Sequence, residues 1–66
     1  MTVNGKIFDF LSKKIHTIDD LLDHLNLSKN SVAIEKNGSI VDKENWPIEK
    51  ISSSDSIEII RFVGGG

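Results

Sequence analysis

The sequence has no cysteine, no tyrosine, one proline and one tryptophan among its 66 residues. Without cysteine there is no disulfide staple, no thiolate metal site and no cysteine nucleophile. Such a composition suits a reducing compartment, and a cytoplasmic location is expected. An excess of one charge sign is missing as well: 8 basic residues face 10 acidic ones, a formal net charge of -2. That balance argues against nucleic acid, which needs a basic footprint. Apolar runs stop at two or three residues, so no membrane span is read. Lys6 and its polar neighbours break any signal-peptide stretch. Length is also scarce. A chain this short makes one domain and buries only roughly 60% of its unfolded surface, which leaves little room for a deep catalytic pocket. Hydrophobic residues nevertheless make up 38% of the chain, enough to fold rather than stay disordered.

What is present has a readable order. Met1-Thr2-Val3 reads as a short strand and Asn4-Gly5 as a type I′ hairpin turn, where both central residues need positive φ. Lys6 to Leu11 reads as the return strand, with Phe8 and Phe10 on one face. Ser12 to His16 is a polar connection. Thr17 is a helix N-cap, Asp19 and Asp20 complement the dipole of the first turn, and Ile18, Leu21, Leu22 and Leu25 form one apolar stripe. Asn26 stops the helix. Val32 to Glu35 reads as a strand with Val32 and Ile34 inward, Asn37-Gly38 as a second hairpin turn, and Ile40-Val41 as a short strand. Asp42 to Lys50 is polar and irregular around Trp46-Pro47, and Ser52 to Asp55 is a turn cluster. Ile57 to Val63 is the last strand, with Ile57 and Ile59 on one face and Glu58, Ile60 and Phe62 on the other. A hairpin, a helix and later strands make an α+β layer, with the helix on one sheet face.

The chain ends Gly64-Gly65-Gly66. Three consecutive glycines at a given place arise by chance in roughly one chain in 3,000. One reading is a frayed end or an expression scar. The other is a narrow arm that threads a tight channel and leaves its last carbonyl open to attack, since no Cβ crowds it.

Several pieces together carry a family resemblance. They are Asn4-Gly5, Thr17-Ile18 with Leu21-Leu22, Val32 to Gly38, Trp46, Asp55 before Ile57 to Ile60, and Phe62-Val63 leading into Gly65-Gly66. In their order and spacing, over nearly the whole chain, it resembles the ThiS family, the sulfur carriers of thiamine biosynthesis. It departs from the family pattern at Ser54, where glycine is usual, and at Asp42-Lys43, where proline and arginine are. The resemblance implies an α+β, ubiquitin-like β-grasp domain over residues 1–63, a mixed sheet of about four to five strands with one main helix packed on one face, then a glycine tail over 64–66. It also implies a mechanism. A ubiquitin-activating-like adenylyltransferase would use ATP and Mg²⁺ to adenylate Gly66. A sulfur donor protein would supply persulfide sulfur, leaving a terminal thiocarboxylate for thiazole synthase. On that reading the chain is no enzyme, binds no cofactor itself and is a monomer when free. Gly66 carries the sulfur, and Gly64 and Gly65 thread the partner's channel.

Partners need a surface as well as a tail. If the helix covers one sheet face only, Ile60 and Phe62 are exposed beside the arm and, with Val63, form an apolar docking patch. The competing expectation is that Asp42 to Lys50 covers that face. The other candidates read as structural. His16 and His24 lack metal-ligand spacing, Asp19, Asp20 and Asp23 are helix-start acids, Ser52 to Ser54 lack a partnered base, Trp46 is a lid over a core edge, and Arg61 is a rim charge. Three other functions share parts of this pattern: a molybdopterin-synthase small subunit, a ubiquitin-like protein modifier and a non-catalytic interaction domain.

Overall fold

Both Asn-Gly pairs make the expected turns. Asn4 and Gly5 have φ of 51° and 83°, and Asn37 and Gly38 have 55° and 86°, the positive pairs that match the twist of a hairpin. The first turn joins β1 (Thr2–Val3) to β2 (Lys6–Ile7), and the second joins β3 (Val32–Lys36) to β4 (Ser39–Ile40). The structure, a computed structural model, describes residues 1–62. The last strand, β5 (Ser56–Arg61), lies between the hairpins, parallel to β1 and antiparallel to β3. The result is a five-stranded mixed sheet in the order β2-β1-β5-β3-β4.

The helix α1 (Ile18–His24) is set at its start by side chains and at its end by backbone geometry. The Thr17 hydroxyl accepts the Asp20 N–H at 3.2 Å and the Asp20 carboxylate accepts the Thr17 N–H at 3.2 Å, a reciprocal capping box. At the other end Asn26 has φ of 56°. The Asn26 N–H donates to the Asp23 carbonyl and the Leu27 N–H to the Leu22 carbonyl, a Schellman pair that satisfies two free carbonyls. Glycine takes this conformation without the Cβ penalty, and a β-branched residue takes it at a cost. Asn26→Gly is therefore expected to leave stability unchanged or raise it slightly. Asn26→Val should cost about 1–2 kcal/mol, read as a thermal midpoint lowered by roughly 5–15 °C in circular dichroism melts. Equal melting of the two variants would contradict the assignment.

The stripe of α1 meets the inner sheet face. Ile18, Leu21 and Leu22 pack with Val32, Ile34, Ile57 and Ile59 in one buried cluster. Each fully buried aliphatic side chain contributes about 1.5–3 kcal/mol of gross transfer free energy.

Three expectations need correction. The return strand stops at Ile7 rather than Leu11. Its last rung is the Phe8 N–H donating to the Met1 carbonyl. The Asp9 carboxylate then accepts from the Ser12 N–H at 3.3 Å and the Ser12 hydroxyl at 2.6 Å, turning the chain away from the ladder. Phe10 is buried and Phe8 partly buried, so their inward face survives without a strand to hold it. The connection after it is not wholly polar either, because Ile15 is buried in the core and its N–H donates to the Phe10 carbonyl. Finally, β5 ends at Arg61.

The segment from 42 to 50 holds one short 3-10 turn, Lys43–Asn45. Trp46 then turns into the core, 2% exposed, with its Nε1–H donating to the Val41 carbonyl at 2.9 Å. The Trp46 carbonyl accepts the Asp19 N–H and the Glu49 carbonyl the Ile18 N–H, both at 3.1 Å. These are first-turn amides that the helix itself cannot satisfy. The segment is thus committed to the start of α1, on the helix side of the sheet.

Candidate functional site

Because 42–50 caps the helix, it does not cover the opposite sheet face. Along β5, Ile57 and Ile59 point into the core, while Ile60 is 43% and Phe62 59% exposed on the other face. The register pairs Ala33 with Ile60 and Ile40 with Glu35. Directly paired residues share a face, so Ala33 and the exposed Ile40 lie on the same side as Ile60. Phe62 stands one residue past the strand, where its N–H donates to the Ser31 carbonyl at 2.9 Å. Ile60 and Phe62, two residues of the expected docking patch, are thus both solvent-exposed. Val63, Gly64, Gly65 and Gly66 lie outside the described residues, as does the expected boundary between domain and tail.

Two side chains hold β5 in place, and the sequence reading missed both roles. Asn4 does more than make a turn: its Oδ1 accepts the Ile59 N–H at 2.7 Å, while its N–H donates to the Ile57 carbonyl at 2.9 Å. Asn37 repeats the device at the other end of the strand. Its Oδ1 accepts the Ser56 N–H and its Nδ2–H donates to Asp55 Oδ1, both at 2.9 Å. Asp55 is 8% exposed, the single buried charged residue among those described. Its other oxygen accepts the Ser52 N–H at 2.8 Å, and its carbonyl accepts the Thr2 N–H at 3.1 Å. Burial pushes the Asp55 pKa up. The Asn37 amide, the Ser52 N–H and the nearby Lys36 cation together outweigh that and hold it below the usual carboxylate value.

The remaining candidates take structural places. Asp19 and Asp23 pair with Lys29 at 2.9 and 3.4 Å. The Asp20 carboxylate accepts the His16 and Thr17 N–H groups, which hold its pKa low, the His16 bond most of all. His24 meets the Phe8 ring edge-on at 5.9 Å between centroids. Ser52 and Ser54 face one another at 3.4 Å, and the Ser52 N–H serves Asp55. Among the described residues no group of three or more His, Asp or Glu is placed to hold a metal ion, and no helix is long and apolar enough to cross a membrane. The described residues thus place two exposed apolar side chains, Ile60 and Phe62, at the end of a strand held by Asn4 and Asn37.

Comparison with known proteins agrees with this geometry. The ThiS family model matches residues 1–66. The sulfur carrier protein ThiS of Bacillus subtilis is 38% identical over 66 residues, covering the whole chain and 98% of that protein. A thiazole synthase of Paramagnetospirillum magneticum is 32% identical over 66 residues, a match that takes in the whole chain but 20% of that longer protein. Among solved structures, the thiamine biosynthesis protein (ThiS) of Geobacter metallireducens superposes with a TM-score of 0.80 at 29% identity, over 98% of this chain and 96% of that one. With a family match along its full length and a β-grasp sheet shared with a solved member, the chain belongs to the ThiS family.

Proposed function

We propose that the chain is a sulfur carrier of thiamine biosynthesis, loaded as a thiocarboxylate on Gly66. The observation that carries this reading is the full-length match to the Bacillus subtilis sulfur carrier. The exposed Ile60 and Phe62, at the end of the strand that leads into the glycines, support it.

The chemistry follows from the weakness of a carboxylate as an electrophile, whose leaving group would be oxide. An adenylyltransferase partner, working with ATP and Mg²⁺, joins a Gly66 carboxylate oxygen to the α-phosphorus of ATP and releases pyrophosphate. The acyl carbon now has AMP as a leaving group. The terminal sulfur of a donor persulfide attacks that carbon and expels AMP, and a thiol then reduces the S–S bond, leaving the thiocarboxylate. Thiazole synthase takes the sulfur. Each reacting group other than the glycine carboxyl belongs to a partner, so this chain is a co-substrate and not an enzyme.

The test is intact mass after incubation with ATP, the activating enzyme and a sulfur source. The expected shift is replacement of one oxygen by sulfur. No shift, with an enzyme shown to be active on another carrier, would overturn the reading. Phe62→Asp probes the patch. Phe62 is largely solvated, so the fold should persist, while charge on the apolar contact should raise the KM of activation about tenfold or more. Unchanged activation kinetics would remove Phe62 from the docking surface.

A further inference from the structure

The end of β5 exposes both of its faces. Arg61 shares the helix side of the strand with Ile57 and Ile59 and is paired in register with Val32, yet it is exposed. The cause is the early stop of α1. The helix ends at His24, and the turn at Asn26 carries the chain away, leaving the far end of the inner sheet face without helical cover. A groove of about 260 Å³ results, with Val3, Leu25, Leu27 and Ile59 along it and Asn4 and Arg61 as its polar members. Arg61 is the single arginine of the chain. The ion pairs among the described residues use Lys29 and Lys36 and leave Arg61 without a carboxylate.

We infer that this groove is a second docking site for the activating enzyme, and that its occupant is a segment presenting a carboxylate beside an aliphatic side chain. The inference rests on the carrier reading above and deepens it. A guanidinium presents parallel N–H groups in the spacing of a carboxylate's two oxygens, and it desolvates more readily than an ammonium. The apolar wall beside it accepts an aliphatic side chain and thins the water around the ion pair, so the pair is worth more than an open surface bridge.

Place in the chain points to the same occupant. Arg61 stands between Ile60 and Phe62, so an enzyme seated on the outer patch and enclosing the residues beyond it passes the mouth of the groove. The activating enzyme must also accept this chain and refuse other glycine-ended chains. Glycines offer no side chains to read, so discrimination falls on the side chains just before them.

The experiment measures conversion of intact mass by the activating enzyme as carrier concentration is varied, for wild type, Arg61→Lys and Arg61→Glu, at low and at about 0.15 M ionic strength. Circular dichroism confirms that each variant is folded. Arg61→Glu should raise KM about tenfold or more with kcat within about twofold, and Arg61→Lys should fall between, keeping the charge but losing the fork. Salt should raise the wild-type KM and not that of Arg61→Glu. A wild-type KM for Arg61→Glu, or a loss confined to kcat, overturns the groove as a docking site. If Arg61→Glu does not fold, Arg61→Lys decides: a wild-type KM and salt response overturn the inference. Wild-type chain that an active enzyme never converts overturns the carrier reading and this inference with it, whereas conversion of wild type and Arg61→Glu alike overturns the inference alone.

Discussion

Deleting Gly65 and Gly66 is expected to reduce thiocarboxylate formation to an undetectable level while leaving the thermal midpoint of the domain unchanged. The effect is absolute because the deletion moves the acyl carbon rather than weakening a contact. A shortened arm would offer the carboxyl of Gly64, drawn back by two residues or roughly 7 Å at the full extension of a chain. A displacement of even about 1 Å from the productive geometry can cost a hundredfold in rate. The fold should not notice, because the buried cluster is drawn from residues between Phe10 and Ile59. The readout is paired: intact mass after incubation with ATP, activating enzyme and a sulfur source, and a thermal melt of the same sample. A sulfur-for-oxygen shift in the deleted chain would refute the assignment of Gly66. Loss of the fold would show that the glycines belong to the domain.

The second large effect is expected at Asp55. Replacing it with alanine removes the acceptor of two hydrogen bonds, from the Asn37 amide and the Ser52 N–H, and with it a charge near Lys36. Stranded donors in a buried site cost about 1–3 kcal/mol each, so about 3 kcal/mol in total is a reasonable expectation. In a domain of this size that lowers the thermal midpoint by roughly 12–24 °C. Asp55→Asn should not rescue it. Both carboxylate oxygens accept, and an amide can offer only one oxygen, so one N–H would meet another N–H. The pH dependence has a definite sign. The folded Asp55 pKa is depressed, so its contribution is present above the unfolded value of about 3.9 and is lost as pH falls through the lower folded value. The gap in stability between wild type and Asp55→Ala should therefore be full near neutrality and close in acid below about pH 4. Denaturant titrations at several pH values would show it, and a gap that widens on acidification would contradict the assignment.

Local chemistry was legible, and contacts made across the chain were not. Asn4-Gly5 and Asn37-Gly38 announce their turns, because positive φ at two adjacent positions selects those residues. The helix announces itself through Thr17, the acids after it, the leucine spacing and Asn26. The inward side of β5 follows from its alternation, and with it the outward placement of Ile60 and Phe62. Whether that outward face was covered could not be read, because nothing in Asp42 to Lys50 says that two of its carbonyls serve the amides of Ile18 and Asp19. Ile15 sits in a stretch that reads as polar, although its spacing of three residues before Ile18 matches the apolar stripe. Sequence alone makes Asp55 a turn residue. Its partner Asn37 is 18 residues away, and no local pattern records such a pairing. Sequence alone makes Arg61 a rim charge, although its parity with Ile57 and Ile59 places it on the helix side. The groove beside it depends on where the helix ends in space, which spacing alone does not fix.

The two asparagine clamps bear on how β5 would carry a load. β5 is the middle strand of five, and a pull on its C-terminal end along the strand axis would load the whole strand. Its hydrogen bonds to β1 and β3 lie across that direction, so they share the force as a set instead of opening one rung at a time. Slippage by a single residue would turn Ile57 and Ile59 out of the core and Glu58 into it. Asn4 and Asn37, bonded to Ile59 and Ser56, act as pegs at two points along the same rope. On the proposed function, tension from a partner that draws on the residues after Phe62 would end in a strand that resists by shear. On that reading the domain would be an anchored handle.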